Sequence, residues 1–381
     1  MDFCFSAVFT NTAFYSSYLH LTSTFLGTLT AISTGIYVIL AIPFGRLSDR
    51  INRTHNLAAG CLLLAILSFS LPFCFRKLHL ALVFPCVGVS QALFWPAYEA
   101  WLAERGSGRH LIKRLRLFNL FWSTGITAGP VTSSYLYRGK NPVIPFYLAG
   151  GFSLLNWFTI NAQAKKHLHV ENPAKPTSSL ENTWEETQPP PTTQRIFLQI
   201  ARISNFASWF CLGVLRRIAP KLTLEMGISA KMFGNLMLTL GGVQTLTFLW
   251  FGTDNSTRWH YRLTPLVCVQ LLAVMGFVGM WCWTHAVIWA FAFASLAVCA
   301  AVTYFSSLYY SLHEEESKGD KSGWHEAILG SGILLGPVLG GVFADSTLGI
   351  KSPYLLCAGV IAFCLFLEGL KRLRAPECRI S

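Results

Sequence analysis

The sequence predicts an all-α polytopic membrane protein, with twelve transmembrane helices in two pseudo-symmetric six-helix bundles. Three observations carry this. The chain of 381 residues is 52% hydrophobic and only 13% charged, and the charges avoid long segments: Gly60–Phe75, Phe233–Gly252, Leu263–Phe305 and Ala327–Ala344 contain no Asp, Glu, Lys or Arg. Each reaches or approaches the ~20 apolar residues that cross ~30 Å of hydrocarbon at ~1.5 Å per residue. A polar stretch, Lys165–Arg195, with five prolines and balanced charge, interrupts the apolar pattern near mid-chain. The apolar parts on either side of it repeat one another.

Hydropathy places the spans at roughly 3–20, 25–44, 56–75, 79–103, 115–137, 142–163, 202–224, 231–252, 263–282, 284–311, 324–345 and 353–371. The first has no charged leader or small-residue cleavage site before it and reads as a retained helix. Lys165–Arg195 cannot bury enough apolar surface to fold by itself and reads as a flexible linker. The expected organisation is an N-terminal bundle over 1–164, a cytoplasmic linker over 165–201, a C-terminal bundle over 202–374 and a cytoplasmic tail over 375–381.

The repeat is visible at a fixed offset of 207. Gly27, Gly45, Gly125 and Gly129 match Gly234, Gly252, Gly332 and Gly336, and Pro130 matches Pro337. A duplicated six-helix unit in parallel orientation is an architecture of alternating-access transporters.

Charge sets the expected orientation. With Met1 inside, inner loops and termini hold 21 of the 30 Lys and Arg, and outer loops hold seven. That bias puts both termini in the cytoplasm of a cell whose plasma (bacterial inner) membrane the protein spans. The net charge of +12 is then a topology signal. The basic residues form short loops and no continuous stripe, so nucleic acid is not an expected partner. Eleven scattered cysteines with no CxxC pair argue against a disulfide framework and against a metal site.

Directly after the second span, Gly45-Arg46-Leu47-Ser48-Asp49-Arg50-Ile51-Asn52-Arg53 gathers three arginines and an aspartate. It resembles the loop signature G-x-L-x-D-R-x-x-R of the major facilitator superfamily. The run from Gly332 through Gly336 and Pro337 to Gly340 and Gly341 is similar to the G-x-x-x-G-P-x-x-G-G helix signature of that family's exchangers. There it lies on helix 5, and here on the eleventh span; the fifth has Gly125, Gly129 and Pro130, then Ser133 and Ser134 in place of glycines. The resemblance implies the fold of that family and secondary active transport of a small solute by alternating access, as antiporter or symporter. Efflux or exchange is the favoured direction. An uptake permease for a sugar or organic anion is the alternative, and a non-transporting sensor or scaffold is the reading from another class. A membrane-embedded enzyme would need a clustered nucleophile and base at one membrane face, which the sequence does not present.

Physical chemistry gives the loop a use of its own. Gly45 lets helices approach closely. Asp49 is placed to face the positive N-terminal end of the eleventh span, and Arg50 and Arg53 are placed to pair with Glu104. Together these five form an expected inner gate. Glycines 332, 336, 340 and 341 are expected to bring the eleventh span close to the opposite half.

Few ionisable groups fall inside spans, and such groups usually face a cavity or a partner. Arg216 and Arg217 point about 100° apart on one helix, so one of them is expected to bind an anionic or hydroxyl-rich solute. Glu99, Gln244, His325 and Glu326 are further candidates for substrate binding or coupling. Trp95, Trp122, Trp157, Trp209 and Trp250 could line a pocket, although lipid-facing placement is the commoner fate of such residues. No phosphate-binding G-x-x-x-x-G-K-[ST] occurs. No cofactor is expected. The expected partners are a small-molecule substrate, protons as coupling ion and the lipid bilayer, around a monomer.

Overall fold

The computed structural model describes residues 1–104, 108–139, 142–167, 190–251, 261–313 and 318–373, and among them it contains no strand. The chain runs through α1 (Asp2–Tyr18), α2 (Ser23–Arg50), α3 (Arg53–Ser70), α4 (Lys77–Val83), α5 (Cys86–Glu104), α6 (Gly108–Leu136) and α7 (Ile144–His167). It continues with α8 (Pro191–Arg217), α9 (Ala219–Glu225), α10 (Ala230–Phe251), α11 (Leu263–Cys282), α12 (Ala286–His313), α13 (Lys318–Ala344) and α14 (Ser352–Leu373). Nine of the described helical segments are long and apolar enough to cross a membrane.

Two units form. The first comprises Met1–Leu21 and Ile32–Glu186; the second comprises Thr22–Ala31, the first turns of α2, together with Thr187–Ser381. In the first unit α1 packs on α6 and α7, and α3 packs on α5 and α7. Small residues permit these approaches. A side chain on Gly129 would run into Ser6 and the backbone of Phe3 and Ala7 in α1, and Gly125 abuts Asp2 one turn away. Ser90 of α5 donates to the carbonyl of Gly60 in α3 at 2.8 Å, joining a second close pair.

In the second unit α13 lies along α8, α12 packs on α8, α10 and α11, and α14 packs on α8 and α11. Gly332 and Gly336 abut the backbone of Phe210, and Gly340 abuts Val214. The expectation that this run meets the opposite half is therefore replaced for three of the four glycines. Their partner is α8, a neighbour within the unit, because surfaces without side chains let two helix backbones lying side by side come close. Gly341 abuts Ser23 at the start of α2, within the same unit.

Two spans differ in detail from hydropathy. The fourth is divided at Phe84–Pro85 into α4 and α5, where Pro85 lacks an N–H to continue the helical ladder. The seventh begins at Pro191, since Phe197, Leu198, Ile200 and Ala201 bury an apolar face against Leu266, Val302 and Tyr310. The intervening Gln and Arg residues dilute that face in a hydropathy average. The same span ends at Arg217, and α9 follows with Pro220 in its first turn, where proline is tolerated.

Candidate functional site

Polar side chains inside α8, α10, α12 and α13 pair between helices of the second unit. The pairing starts from Arg216 near the end of α8. Its Nη2 donates to Oε1 of Gln244 in α10 at 3.0 Å. Nε of Arg216 and Nε2 of Gln244 are buried without a hydrogen-bond partner. A guanidinium whose partner is a neutral amide keeps its full charge, and unpaired charge in a membrane interior is costly. The left-over donors all present N–H, so the arrangement is chemically suited to accept oxygens. Arg217, the next residue, is half-buried as well.

His325 of α13 is fully buried, and its Nδ1 shares a hydrogen bond with Ser307 Oγ of α12 at 2.9 Å. Its Nε2 has no partner. The ring of Tyr304 lies 5.0 Å from the imidazole, with Trp209 of α8 and Phe248 of α10 at 5.9 and 5.8 Å on its other sides. Tyr304 thus joins four helices. Close by in sequence, Ser208 and Thr303 share a hydrogen bond at 2.6 Å between α8 and α12. Asn205, one turn before Ser208 and Trp209, is fully buried with neither amide atom paired. Asn205 and Ser307 escaped the sequence reading. Their signal was a polar residue inside an apolar span, a weak one, since serines hydrogen-bond their own helix backbone throughout this chain.

Glu326 is exposed on the far side of the His325 peptide. Trp250 is 55% exposed, Trp95 packs in a ring cluster with Phe94 and Tyr98, and Trp157 meets Phe158 edge to face. Glu99 lies on α5, but its side chain falls outside the described residues, as do those of Asp49 and Glu104. The Asp49-to-α13 and Arg-to-Glu104 contacts expected of the inner gate therefore lie outside them too. What the loop does show is local. Asn52 caps α3 by accepting from Thr54 N at 3.0 Å, Asn56 donates to the Phe44 carbonyl at 3.1 Å, and Arg53 donates to Ser48 Oγ at 3.4 Å. Arg50 is exposed, and a side chain on Gly45 would meet Pro96 at 3.5 Å, an ordinary contact. Pro130 and Pro337 lie inside α6 and α13.

A second polar network closes the start of α2. Asp345, just past α13, accepts from the backbone N–H of Ser23 at 3.0 Å and of Thr24 at 2.6 Å. Thr22 Oγ1 accepts from Phe25 N at 3.2 Å, so the first three N–H groups of α2 all have side-chain acceptors. Lys221 of α9, 2% exposed, donates to Ser23 Oγ at 3.1 Å and pairs with Glu225. Burial opposes ionisation of Asp345, but the hydrogen bonds from Thr24 and Ser23 and the Lys221 charge outweigh it. They hold the carboxyl below its ordinary value.

A membrane-spanning bundle of helices in two internally packed units, with buried polar groups between helices of one unit, defines an integral membrane protein of transporter type. The sequence pattern of the Major Facilitator Superfamily matches residues 1–243, and the chain belongs to that family. It is 29% identical over 125 residues to an uncharacterized MFS-type transporter of Bacillus subtilis (strain 168), a match covering 33% of this chain and 31% of that protein. It is 24% identical over 340 residues to Multidrug resistance protein 1 of the same organism, covering 86% of this chain and 82% of that one. Among solved structures, a bacterial homolog to the human lysosomal transporter Spinster, inward-facing and occupied, superposes with a TM-score of 0.73. That superposition covers 100% of this chain and 96% of the other at 14% identity.

Proposed function

We propose that the chain carries a small anionic solute across the membrane by alternating access, coupled to protons, with export or exchange as the working direction. The observation that carries the solute class is Arg216: a guanidinium inside a membrane-spanning helix, held by a neutral amide, with Nε and the neighbouring Gln244 Nε2 left without partners. A carboxylate or sulfonate would supply both the missing charge and the missing acceptors. The likeness to a multidrug resistance protein supports export. The glycine run of α13 supports exchange or export by its resemblance to the exchangers' helix signature. The Lys and Arg bias supports a cytoplasmic side for both termini and residues 165–195.

Reconstituted liposomes test the reading. The purified protein should exchange radiolabelled organic anions in response to an imposed pH gradient. Arg216→Gln should weaken binding by an order of magnitude or more, as loss of a charge-assisted hydrogen bond of roughly 1.5–3 kcal/mol requires. Equal binding of anions and their neutral amides by the unaltered protein would sink the anionic reading. Failure to move any member of a broad solute panel under any gradient would favour a sensor or scaffold role.

A further inference from the structure

Glu368 is 4% exposed in α14, and Gln270 is fully buried in α11. Gln270 Nε2 donates to Glu368 Oε2 at 3.0 Å, tying the two helices together. Two atoms of this pair remain buried and without partners: Glu368 Oε1 and Gln270 Oε1. Both are oxygens. Were Glu368 ionised, both could only accept, and the pair would bury a full negative charge beside two unanswered acceptors.

Among the described residues no cation answers it. The titratable groups close enough to feel Glu368 are Cys299 of α12 and Cys364 of its own helix, both thiols. Lys371 and Arg372, one turn on in α14, are exposed and make no ion pair with it among the described residues. From α8 and α13, which also pack on α14, no charged group among the described residues acts on it.

One proton resolves both deficits. We infer that Glu368 and Gln270 form a resident proton-binding site, in which the carboxylic acid donates from Oε1 to Gln270 Oε1 while the amide donates to Oε2. The acid and the amide then close a ring of two antiparallel hydrogen bonds, the pair is neutral, and every polar atom of both ends is paired. The ligand is a single proton. It staples α11 to α14 inside the second unit, and its departure would leave two facing oxygens and a charge in the seam. This site stands independently of Arg216 and of the identity of the solute.

The substitution Glu368→Gln separates the alternatives, because an amide can make the same two bonds without a titrating proton. The variant in detergent should melt at the same temperature as the unaltered protein in acid, below the ordinary carboxylate range, where the unfolded chain also keeps this proton. As pH rises from there, the unfolded chain releases the proton before the folded one does, so the unaltered protein alone should lose thermal stability. Infrared spectra of the unaltered protein at neutral pH should contain a carboxylic acid C=O band that is absent from Glu368→Gln. A large fall in melting temperature at neutral pH with no missing band would overturn the inference, since Glu368 would then be acting as a carboxylate. If Glu368→Gln does not fold, Gln270→Leu decides. Loss of its acceptor should shift the acid band to the frequency of a free carboxylic acid, and an unshifted spectrum would count against the site.

Discussion

The seam of α6 on α1 and the seam of α13 on α8 are the same contact made twice. Gly129 abuts Phe3, Ser6 and Ala7, and Gly336, 207 positions later, abuts Phe210, the counterpart of Phe3. Gly125 abuts Asp2 and Phe3, while Gly332 abuts Trp209 and Phe210, again the matched pair. One turn further the solutions diverge. In the first unit Ser133 donates to the Ala7 carbonyl at 3.3 Å, whereas in the second Gly340 faces the branched Val214, the counterpart of Ala7. Bulk has moved across the seam, from the serine of one helix to the valine of the other, while the helix separation needed by the glycines is kept. The backbone register of the repeat is what has been retained; the atoms filling it are exchangeable when both sides change together.

If that is right, the glycines should matter far more than what fills the next turn. Gly129→Val and Gly336→Val each drive a side chain into backbone and should cost of order 3 kcal/mol or more. The expected outcome is little folded protein from either, measured by size-exclusion of detergent extracts. A variant tolerated in one unit and lethal in the other would break the equivalence. Next in size is a difference between the units at their ends. The position that matches Asp345 is Arg138, which cannot accept a helix N–H, so of the α2 cap only the Thr22 part has a copy, Ser229 accepting from Met232 N at 3.2 Å. Asp345→Asn should lower the melting temperature at neutral pH. The folded carboxyl sits below its ordinary value, so its contribution is present above the ordinary carboxylate range and is lost as pH falls through the lower folded value. The gap in melting temperature between the unaltered protein and Asp345→Asn should therefore narrow in acid, and a gap that widens would remove Asp345 from the role of ionised cap.

Smaller effects sharpen the exchange of bulk. Ser133→Gly should cost about 1 kcal/mol through its lost hydrogen bond. Gly340→Ser should be destabilising alone but improve when combined with Val214→Ala, which recreates the first unit's arrangement. Strict additivity of the two changes in chemical denaturation would mean that the seam does not trade volume. The smallest effect is expected at Gly45→Ala, where the new methyl meets Pro96 at contact distance; a change beyond about 0.5 kcal/mol would show that this glycine serves something other than packing.

Much of this architecture could be read from the chain because its signals are local or periodic. Apolar run length gives the spans, and the offset of 207 gives the duplication down to individual glycines. Arg216 and Gln244 also stood out, being polar where the solvent is hydrocarbon. The helix breaks at Phe84–Pro85 and Ile218 did not stand out, since a hydropathy average passes smoothly through them. The partners of Gly332, Gly336 and Gly340 were misjudged, while Gly341 does meet the start of α2, because a G-x-x-x-G face states that something comes close without stating what. Pairings such as Gln270 with Glu368 or Ser23 with Asp345 join residues far apart along the chain and leave no trace in either segment alone. Each is a property of the folded unit, created when two helices are brought side by side.

The cap on α2 also carries a timetable. Ser23 and Asp345 are separated by 322 residues, so the acceptor for the first N–H groups of α2 is made long after the helix itself. At ~5–20 residues per second, synthesis leaves that helix end open for roughly 15–65 seconds after it emerges. During this interval water or lipid headgroups must serve the exposed donors, and the helix start is free to fray by a turn. Completion of α13 then closes it. Maturation of the α2 end is thus finished by a segment made much later, and a chain cut short before residue 345 would insert α2 yet leave it unsealed.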